Sequence, residues 1–495
     1  MQKKNIMLIM TDQHRSDYVN YSGNNLVETT NIDRIAESVG FTNCHTVNPV
    51  CTPARTALIT GKYAHQIGML SMSGDLSLQY PTFMQALQKN GYFTIGIGKF
   101  HFLQTWKWDT PIGMGIDLAS IKNKMKQYGF EYIWESSGKQ LALRNYCDYC
   151  EYLQKKGLLE KYRDWVEAAG DNTEYPDNNQ DNANPWPFDE EDYIDVVTAG
   201  KIIEQIKNRP KDKPFYLFGS FCSPHRPYDP PERYLDMVDY KEVDDFIPGN
   251  GKVLSQEDKK LLFKQRHAAK ALIKLVDDQI GRILDVLEFE GILDDTVIVF
   301  TSDHGDMLGD HYRIQKSVPW KQSVTVPLAV RHPEFTGRRI NNSPVELIDI
   351  AATILDIAGI DFKKALSRDW PAFNDIVPCR SLMPIIRGEQ ERVRDYAFSE
   401  CEFDEDNTSG NLRKGNWQMI QNEKWKYIRY LGYDEPGKAV EEFYDLEKDP
   451  DELINVINNP AYTDVVKWCK DRREFVTDHT PAAQTVWAPL IQPFR

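Results

Sequence analysis

Four short apolar runs, each followed at once by polar or charged residues, constrain the fold of this chain more than any other feature. They lie at residues 5–10, 93–98, 213–222 and 296–302. A short run without alternation is typical of a strand buried on both faces, as in a parallel sheet. We therefore predict an α/β fold around a central, mostly parallel sheet. Its functional site should lie at the carboxyl ends of the strands.

Segments with helical periodicity separate these runs. The longest covers residues 265–290, where apolar side chains form one continuous stripe. Shorter helices are predicted at 30–40, 80–92 and 345–359, each ending at a glycine. We expect such helices to cover both faces of the sheet.

The pattern changes after about residue 381. Short strand-like segments follow a predicted linker at 361–380, and a terminal helix is predicted near 465–475. A chain of 495 residues is also too long for one ordinary core. We therefore predict a catalytic domain over 1–380 and a smaller C-terminal α+β domain with an antiparallel sheet over 381–495.

Composition excludes several partners. The formal net charge is −15 and no basic patch is evident, which argues against a nucleic-acid partner. No apolar run approaches the roughly 20 residues needed to span a bilayer. The apolar start is too short for a signal peptide and meets Asp12 at once. The expected location is the cytoplasm, or the periplasm if a signal has been removed.

Two further features have less specific interpretations. Cys147 and Cys150 form a lone C-x-x-C without a second pair, and we favour a packed helix over a zinc or redox site there. Residues 104–192 are rich in aromatic and amide side chains and include a polar loop at 171–184. Long insertions on α/β scaffolds often line the substrate pocket, so this region is the predicted specificity insert.

Cys51 lies at the predicted start of a helix. Pro53 suits the first helical turn, because its missing N–H would be unpaired there anyway. The helix dipole favours an anion at this end, and Arg55 adds a positive charge one turn on. The stretch therefore predicts a nucleophile in an anion-binding position. The alternative is a buried structural cysteine.

Two predicted strands end in an aspartate followed by a second potential ligand. Asp12 follows the first strand, and Asp303 and His304 follow the fourth. Because parallel strands end at one edge of the sheet, these residues could converge on a divalent cation, and carboxylate oxygens favour calcium or magnesium. The alternatives are a helix N-cap for Asp12 and a loop turn for Asp303.

Lysine and histidine side chains follow the other two strands. Lys99 and His101 are two residues apart and face the same way on an extended segment. His225 stands between prolines that stiffen its loop. His311 precedes Lys316 on the loop after the fourth strand, and a pocket-facing role and a structural role are equally compatible with its position.

These motifs occur together in an order that resembles the sulfatase family of the alkaline-phosphatase-like superfamily. The resemblance covers most of the chain. The series is Asp12-Gln13, Cys51-x-Pro53-x-Arg55, Gly98-Lys99-x-His101, Pro224-His225-x-Pro227, Ser302-Asp303-His304-Gly305, Lys316, Ser381-Leu382 and Tyr444-Asp445-Leu446-x-Lys448-Asp449-Pro450. It implies an alkaline-phosphatase-like α/β sandwich followed by a small α+β domain.

The resemblance also implies a nucleophile and a metal site. In this family the cysteine equivalent to Cys51 is oxidised by a formylglycine-generating maturation enzyme to Cα-formylglycine, whose hydrate attacks the sulfate ester. A calcium ion, with Mg²⁺ or Mn²⁺ as alternatives, is implied at Asp12, Asp303, His304 and the modified Cys51. Gln13 occupies a place where many sulfatases have a second aspartate. Its amide oxygen is an expected ligand, although the site then carries one charge fewer.

The remaining roles carry over to positively charged and histidine side chains. Arg55 is expected to orient the hydrate. Lys99, Lys316 and His225 are expected to hold the sulfate oxygens, and His225 or Lys316 to protonate the leaving alcohol. His101 is expected to take a proton from the hemiacetal and so expel sulfate.

Two alternatives accompany this interpretation. Phosphonate monoester hydrolases and some phosphodiesterases of the superfamily share the formylglycine, and they also have Asp-Gln near the start. A non-catalytic protein that binds sulfated glycans is the second alternative, but it predicts damaged site residues. We favour hydrolysis of a carbohydrate or aryl sulfate, with a small-molecule or oligosaccharide sulfate ester as substrate.

Overall fold

A computed structural model describes residues 3–72, 74–104, 111–168, 183–249, 254–368, 375–402, 416–435, 438–480 and 482–483 of the chain. Nine strands of the described part form one large sheet. They are β1 Asn5–Asp12, β2 Val39–His45, β3 Phe93–Gly98, β4 Tyr132–Glu135, β5 Phe215–Pro224, β6 Thr296–Ser302, β7 Thr325–Arg331, β8 Arg339–Asn341 and β9 Val345–Glu346.

The sheet is mostly parallel, which confirms the prediction. Its order is β4-β3-β5-β1-β6-β7-β2-β8, and β9 pairs with β2 beside this path. The pairs β4-β3, β3-β5, β5-β1 and β1-β6 are all parallel. Only β7 runs antiparallel to its neighbours, among the strands described here. The carboxyl ends of β3, β5, β1 and β6 therefore meet at one edge.

Helices cover both faces of the sheet. The described helices are α1 Thr30–Ile35, α2 Cys51–Thr60, α3 Ala64–Ile67, α4 Phe83–Lys89, α5 Lys122–Lys126, α6 Asp148–Lys155, α7 Leu159–Ala168, α8 Ile194–Asn208, α9 Glu232–Asp236, α10 Gln256–Phe289, α11 Lys321–Val324, α12 Asp349–Ile357, α13 Phe362–Leu366, α14 Met383–Ile386 and α15 Thr463–His479. Side chains of β1 show the two-sided burial directly. Ile6, Leu8 and Met10 join the core formed with α2, α4 and α12. Met7 and Ile9 join the core formed with α1, α8 and α10.

A second, antiparallel sheet follows, as predicted for the C-terminal region. Its strands pair in chain order: β10 Ala397–Cys401, β11 Trp417–Gln421, β12 Trp425–Glu435 and β13 Lys438–Asp445. Helix α15 packs against this sheet. The domain boundary at residue 380 stays a prediction.

Three predicted helices are shorter than the sequence indicates. The helix predicted at 80–92 covers only Phe83–Lys89. The helix predicted at 30–40 ends at Ile35, because Gly40 lies within β2 and does not stop a helix. A Cβ atom at Gly40 would lie 2.6 Å from the Tyr21 ring, so close packing explains this glycine. The predicted helix at 345–359 begins only at Asp349, because Val345 and the next residue pair with β2. Tertiary pairing overrides the local helical pattern at this place.

Other predictions have mixed outcomes. Cys147 and Cys150 are buried free thiols at the start of α6, consistent with the packed-helix interpretation. Residues 169–182, which include most of the predicted polar loop, lie outside the described residues. No helix in the described ranges is long and apolar enough to cross a membrane.

Candidate active site

Cys51 opens helix α2, directly beneath the carboxyl ends of β1 and β6. The preceding residue, Val50, is extended and caps the helix, so Cys51 is its first residue. The thiol is buried, with its sulfur 3.1 Å from His304 Nε2 and 3.9 Å from an Asp12 carboxylate oxygen. Lys316 Nζ lies 3.4 Å from the same sulfur. Residues from three separate chain segments, the end of β1, the start of α2 and the loop after β6, therefore meet at one atom.

The electrostatic surroundings favour an anion at this position. Burial and the Asp12 carboxylate raise the pKa of the Cys51 thiol, but Lys316, Lys99 and His304 lower it by more. The net effect is a pKa below the ordinary value of a cysteine. A negative charge at the start of α2 is stabilised accordingly.

Asp12, Cys51, Asp303 and His304 form a compact group of potential metal ligands. One ligand atom from each lies within 4.8 Å of the others, and all four residues are buried. His304 Nδ1 donates to the carbonyl of Gly305 at 3.0 Å, which leaves Nε2 facing the group. Metal-binding histidines are typically oriented in this way. Two carboxylates and one imidazole fit a divalent cation.

Arg55 and Lys99 balance the two buried carboxylates. Arg55 Nε lies 2.8 Å from Asp303, and one terminal guanidinium nitrogen lies 3.4 Å from Asp12. The Lys99 ammonium pairs with Asp12. Burial raises the pKa of Asp12, yet Lys99, Arg55 and Lys316 hold it well below its usual range. Asp12 is therefore ionised despite complete burial.

Gln13 lies at the edge of this group, and both polar atoms of its side-chain amide are hydrogen-bonded. Its amide nitrogen donates to Asp306, and its amide oxygen accepts from Lys316 Nζ at 2.7 Å. The backbone N–H donates to Asp303 at 3.0 Å. A φ of 68° at this non-glycine residue allows the chain to turn so that all three bonds form.

The two predicted site histidines on the other strands flank Lys99. His101 Nε2 donates to the carbonyl of Ser137 at 3.1 Å, and burial with the nearby Lys99 charge lowers the pKa of His101 well below normal. His225 is part-buried, and its Nδ1 donates to the carbonyl of Arg226 at 2.8 Å. Burial and Lys316 lower the pKa of His225. Both rings are accordingly neutral proton carriers at neutral pH.

His311 packs against Trp320 on the loop after β6. Its ring stacks on Trp320 with centroids 4.7 Å apart, and its backbone N–H donates to Ile247 at 2.8 Å. Its assignment as a substrate-binding residue stays a prediction.

The sequence analysis predicted no role for three polar side chains near the site, which are Ser220, Tyr228 and Asp306. Ser220 accepts from Arg55 at 2.9 Å. Tyr228 donates to Asp306 at 2.6 Å, and Asp306 in turn holds Gln13. Asp306 lies three residues after Asp303 in the polar segment that follows the same predicted strand, so its nearness to the site could have been predicted. Nothing in the local pattern distinguishes Ser220 or Tyr228 from other buried polar residues.

Comparisons with known proteins agree with this geometry. The chain matches the Sulfatase family over residues 4–360 and the family described as N-sulphoglucosamine sulphohydrolase, C-terminal, over residues 309–478. An arylsulfatase from Clostridium perfringens is 30% identical over 96% of both chains. An N-acetylglucosamine-6-O-sulfatase from Bacteroides thetaiotaomicron is 25% identical over 93% of this chain and 84% of that protein.

Solved structures share the fold over the whole length. A phosphonate monoester hydrolase of Agrobacterium radiobacter has a TM-score of 0.75 at 23% identity and covers 97% of this chain and 96% of its own. A protein solved with its substrate D-glucosamine-2-N,6-O-disulfate has a TM-score of 0.71 at 21% identity and covers 97% and 98%. The fold prediction is confirmed, and the chain belongs to the sulfatase family of sulfuric ester hydrolases.

Proposed function

We propose that this sulfatase cleaves a carbohydrate or aryl sulfate monoester with Cys51, converted to Cα-formylglycine, as nucleophile. The observation that carries the proposal is the position of Cys51 Sγ, 3.1 Å from His304 and 3.4 Å from Lys316. A nucleophile there touches both the potential metal ligands and a cation suited to a sulfate oxygen. A maturation enzyme that oxidises Cys51 is part of the proposal.

The potential ligands fit a divalent cation. Asp12 and Asp303 supply hard oxygen donors, and His304 presents Nε2 to the same point. We assign calcium first, with Mg²⁺ and Mn²⁺ as alternatives, because carboxylates dominate the set. When bound, the cation stabilises charge on the sulfate oxygens as a Lewis acid. The Gln13 amide oxygen is a further proposed ligand, which requires Lys316 to release it.

The formylglycine hydrate supplies an oxygen nucleophile and a second hydroxyl, so that sulfate can leave without trapping the enzyme. Arg55 fixes the carboxylates around this position, since it contacts Asp303 and Asp12 together. Lys99 and Lys316 offset negative charge as it builds on the non-bridging sulfate oxygens.

Proton transfer falls to His101, His225 and Lys316. Nδ1 of His225 donates to Arg226, so Nε2 is the nitrogen left to act on the substrate. We assign protonation of the leaving alcohol to Lys316 or to His225, which must then carry a proton on Nε2 as well as on Nδ1, a form that the negative charge of bound sulfate favours. His101 Nδ1 has no hydrogen-bond partner among the described residues, although it is buried. A base with a free nitrogen, close enough to Lys99, Arg55 and Asp12 to be influenced by their charges, fits the role of accepting the proton when sulfate departs.

The substrate class follows from the relatives. Members that match over most of their length include an N-acetylglucosamine-6-O-sulfatase and an arylsulfatase. We propose a sulfated sugar as the physiological substrate and an aryl sulfate as a convenient assay substrate.

Two measurements test the proposal. The Cys51 peptide from natively produced protein should be lighter than the unmodified peptide by about 18 Da, as expected when a thiol becomes an aldehyde. Turnover of p-nitrophenyl sulfate should exceed that of a p-nitrophenyl phosphonate monoester. Dominant phosphonate turnover would favour the alternative activity, which Gln13 keeps open because phosphonate hydrolases share Asp-Gln. An intact thiol in active protein would refute the formylglycine.

A further inference from the structure

The loop that carries Lys316 has little regular structure of its own. It runs from the end of β6 to the start of α11 and contains one short 3-10 turn at Asp310–Tyr312. Gln315 and Ser317, on both sides of Lys316, have φ angles of 64° and 77°. Non-glycine residues adopt this conformation only where the surroundings enforce it. The position of the Lys316 ammonium therefore depends on what holds the loop.

The catalytic domain holds the first half of the loop. The buried carboxylate of Asp310 pairs with Arg15 at 2.8 Å and with Arg266 at 2.8 Å. Met307 donates its N–H to the carbonyl of Gln315 at 2.7 Å and closes the loop on itself. These contacts stop one residue before Lys316.

The C-terminal region holds the second half of the loop. Trp417 on β11 donates its indole N–H to the carbonyl of Ser317 at 3.1 Å. Lys426 on β12 donates to the carbonyl of Pro319 at 2.7 Å and pairs with Glu452. Glu452 also accepts the backbone N–H of Lys321 at 3.1 Å.

These three side chains are more buried than a surface contact requires. Trp417 is 1% exposed, Lys426 0% and Glu452 2%. Burying a lysine–glutamate pair is costly, and an apolar pair of similar size often stabilises a fold as well. Unlike an apolar pair, Lys426 and Glu452 hydrogen-bond the loop backbone, since Lys426 donates to the Pro319 carbonyl and Glu452 accepts from the Lys321 N–H.

Trp417 also connects the loop to the nucleophile. Its ring belongs to the apolar cluster that contains Val50, the residue immediately before Cys51. The same side chain therefore contacts the residue after Lys316 and packs in the cluster that fixes the start of α2. The sulfur of Cys51 and the ammonium of Lys316 are 3.4 Å apart in this arrangement.

We propose that Trp417 and Lys426 of the C-terminal sheet and Glu452, which follows that sheet, are positioning residues that hold Lys316 against the nucleophile. The proposal rests on the proposed role of Lys316 in binding sulfate. Lysine is a flexible cation on a long stem, so its contribution depends on where its backbone is anchored. Displacements of about 1 Å in such anchors lower rates by about a hundredfold.

The test is a double-mutant cycle between Trp417→Phe and Lys316→Ala. Phenylalanine keeps one aromatic ring and removes the N–H donor to Ser317, together with part of the indole volume, which the control below also loses. We expect Trp417→Phe to lower kcat/KM for p-nitrophenyl sulfate by about tenfold in the parent enzyme. In the Lys316→Ala background the same substitution should cause less than about a twofold further loss, because the group it positions is absent. Equal losses in both backgrounds would overturn the proposal.

Trp425→Phe is the matched control. Trp425 lies on the same sheet and stacks on Phe443 with centroids 5.9 Å apart. It should leave kcat/KM unchanged within about twofold. If Trp417→Phe does not fold, Glu452→Gln is used in the same cycle, since it weakens the pair with Lys426 and keeps the side-chain volume.

A second readout separates this proposal from the proposed function. Sulfate binding is measured by calorimetry for the same four proteins, whether or not they turn over an ester. Trp417→Phe should weaken sulfate binding only when Lys316 is present. If the parent protein hydrolyses neither an aryl sulfate nor a sulfated sugar, the proposed function fails while the binding cycle still tests the positioning. Unchanged sulfate affinity in Trp417→Phe would refute the positioning.

Discussion

The side-chain amide of Gln13 donates a hydrogen bond to the carboxylate of Asp306. Asp306 accepts a second bond from the hydroxyl of Tyr228 at 2.6 Å. The amide oxygen of Gln13 then faces Lys316. A neutral residue with both a donor and an acceptor is therefore matched to its two neighbours. A carboxylate at position 13 would meet the carboxylate of Asp306, which explains why an amide suits this position.

We expect Gln13→Glu to destabilise the protein by about 3 kcal/mol, because two buried carboxylates then face each other. The side chain keeps its length, so packing is not the cause. Urea unfolding at pH 8 in a chelating buffer measures the loss. Combining it with Asp306→Asn should restore most of the stability, since a donor again faces an acceptor. No recovery in the double variant would contradict this account.

Arg55→Met should lower the free energy of unfolding by about 3–5 kcal/mol in metal-free protein. The guanidinium is fully buried and pairs with Asp303 and Asp12, so the variant removes this partner from both carboxylates and leaves Asp12 with Lys99. Denaturant unfolding in chelating buffer gives the value. Arg34→Met is the matched control, because Arg34 is 40% exposed and its pair with Asp285 is worth less than about 1 kcal/mol. Similar losses in both variants would refute the prediction.

Removal of divalent cations should lower the midpoint of thermal unfolding. A cation bound at a concentration of 100 times its Kd stabilises the folded state by about 2.7 kcal/mol. The unfolding temperature is measured after chelation and again with excess Ca²⁺, Mg²⁺ or Mn²⁺. Asp303→Asn removes one proposed ligand, so this variant should respond less. An unfolding temperature that is unaffected by chelation in the parent protein would contradict the metal site.

His65 on α3 contacts the C-terminal region through Glu400 and Thr480. We expect these contacts to make the free energy of unfolding depend on pH. The Nδ1 of His65 donates to Glu400 at 2.7 Å, and its Nε2 donates to Thr480. Burial alone lowers the pKa of His65, but Glu400 and Thr480 raise it above the ordinary value of about 6.5. Protonation therefore favours the folded state. The contribution is full below pH 6.5 and is lost as pH rises through the folded-state pKa.

His65→Gln tests this sign. The variant should lose more stability relative to the parent protein at pH 6 than at pH 8.5. Unfolding free energies at both pH values give the difference. A larger loss at pH 8.5 would show that neutral His65 is the stabilising form.

The sequence was sufficient to predict which strands end at the candidate site. Asp12, Asp303 and His304 were predicted from buried runs that end in polar residues, and these runs became β1 and β6. Parallel strands bring their carboxyl ends together by topology alone, so no side-chain detail was needed. Cys51 required the helix-start pattern and the resemblance to a family, since the local physics left a structural cysteine open.

The sequence pattern failed where tertiary contacts changed the local preference. Gly40 had the pattern of a helix stop, but the Tyr21 ring packs where its side chain would be. Val345 had helical periodicity, but it pairs with β2. Such choices depend on partners outside the local window, since Tyr21 is 19 residues from Gly40 and Cys44 is 301 residues from Val345.

The amino-acid sequence by itself determined the class of fold, the strand ends and the kinds of side chain available for chemistry, because these follow from apolar periodicity and motif order. Only the tertiary structure decided which groups touch. Lys316 is 265 residues from Cys51 along the chain, and Trp417 is 100 residues from Ser317. Their contacts arise from packing between separate elements, and the energy of each contact depends on distances that no sequence spacing fixes.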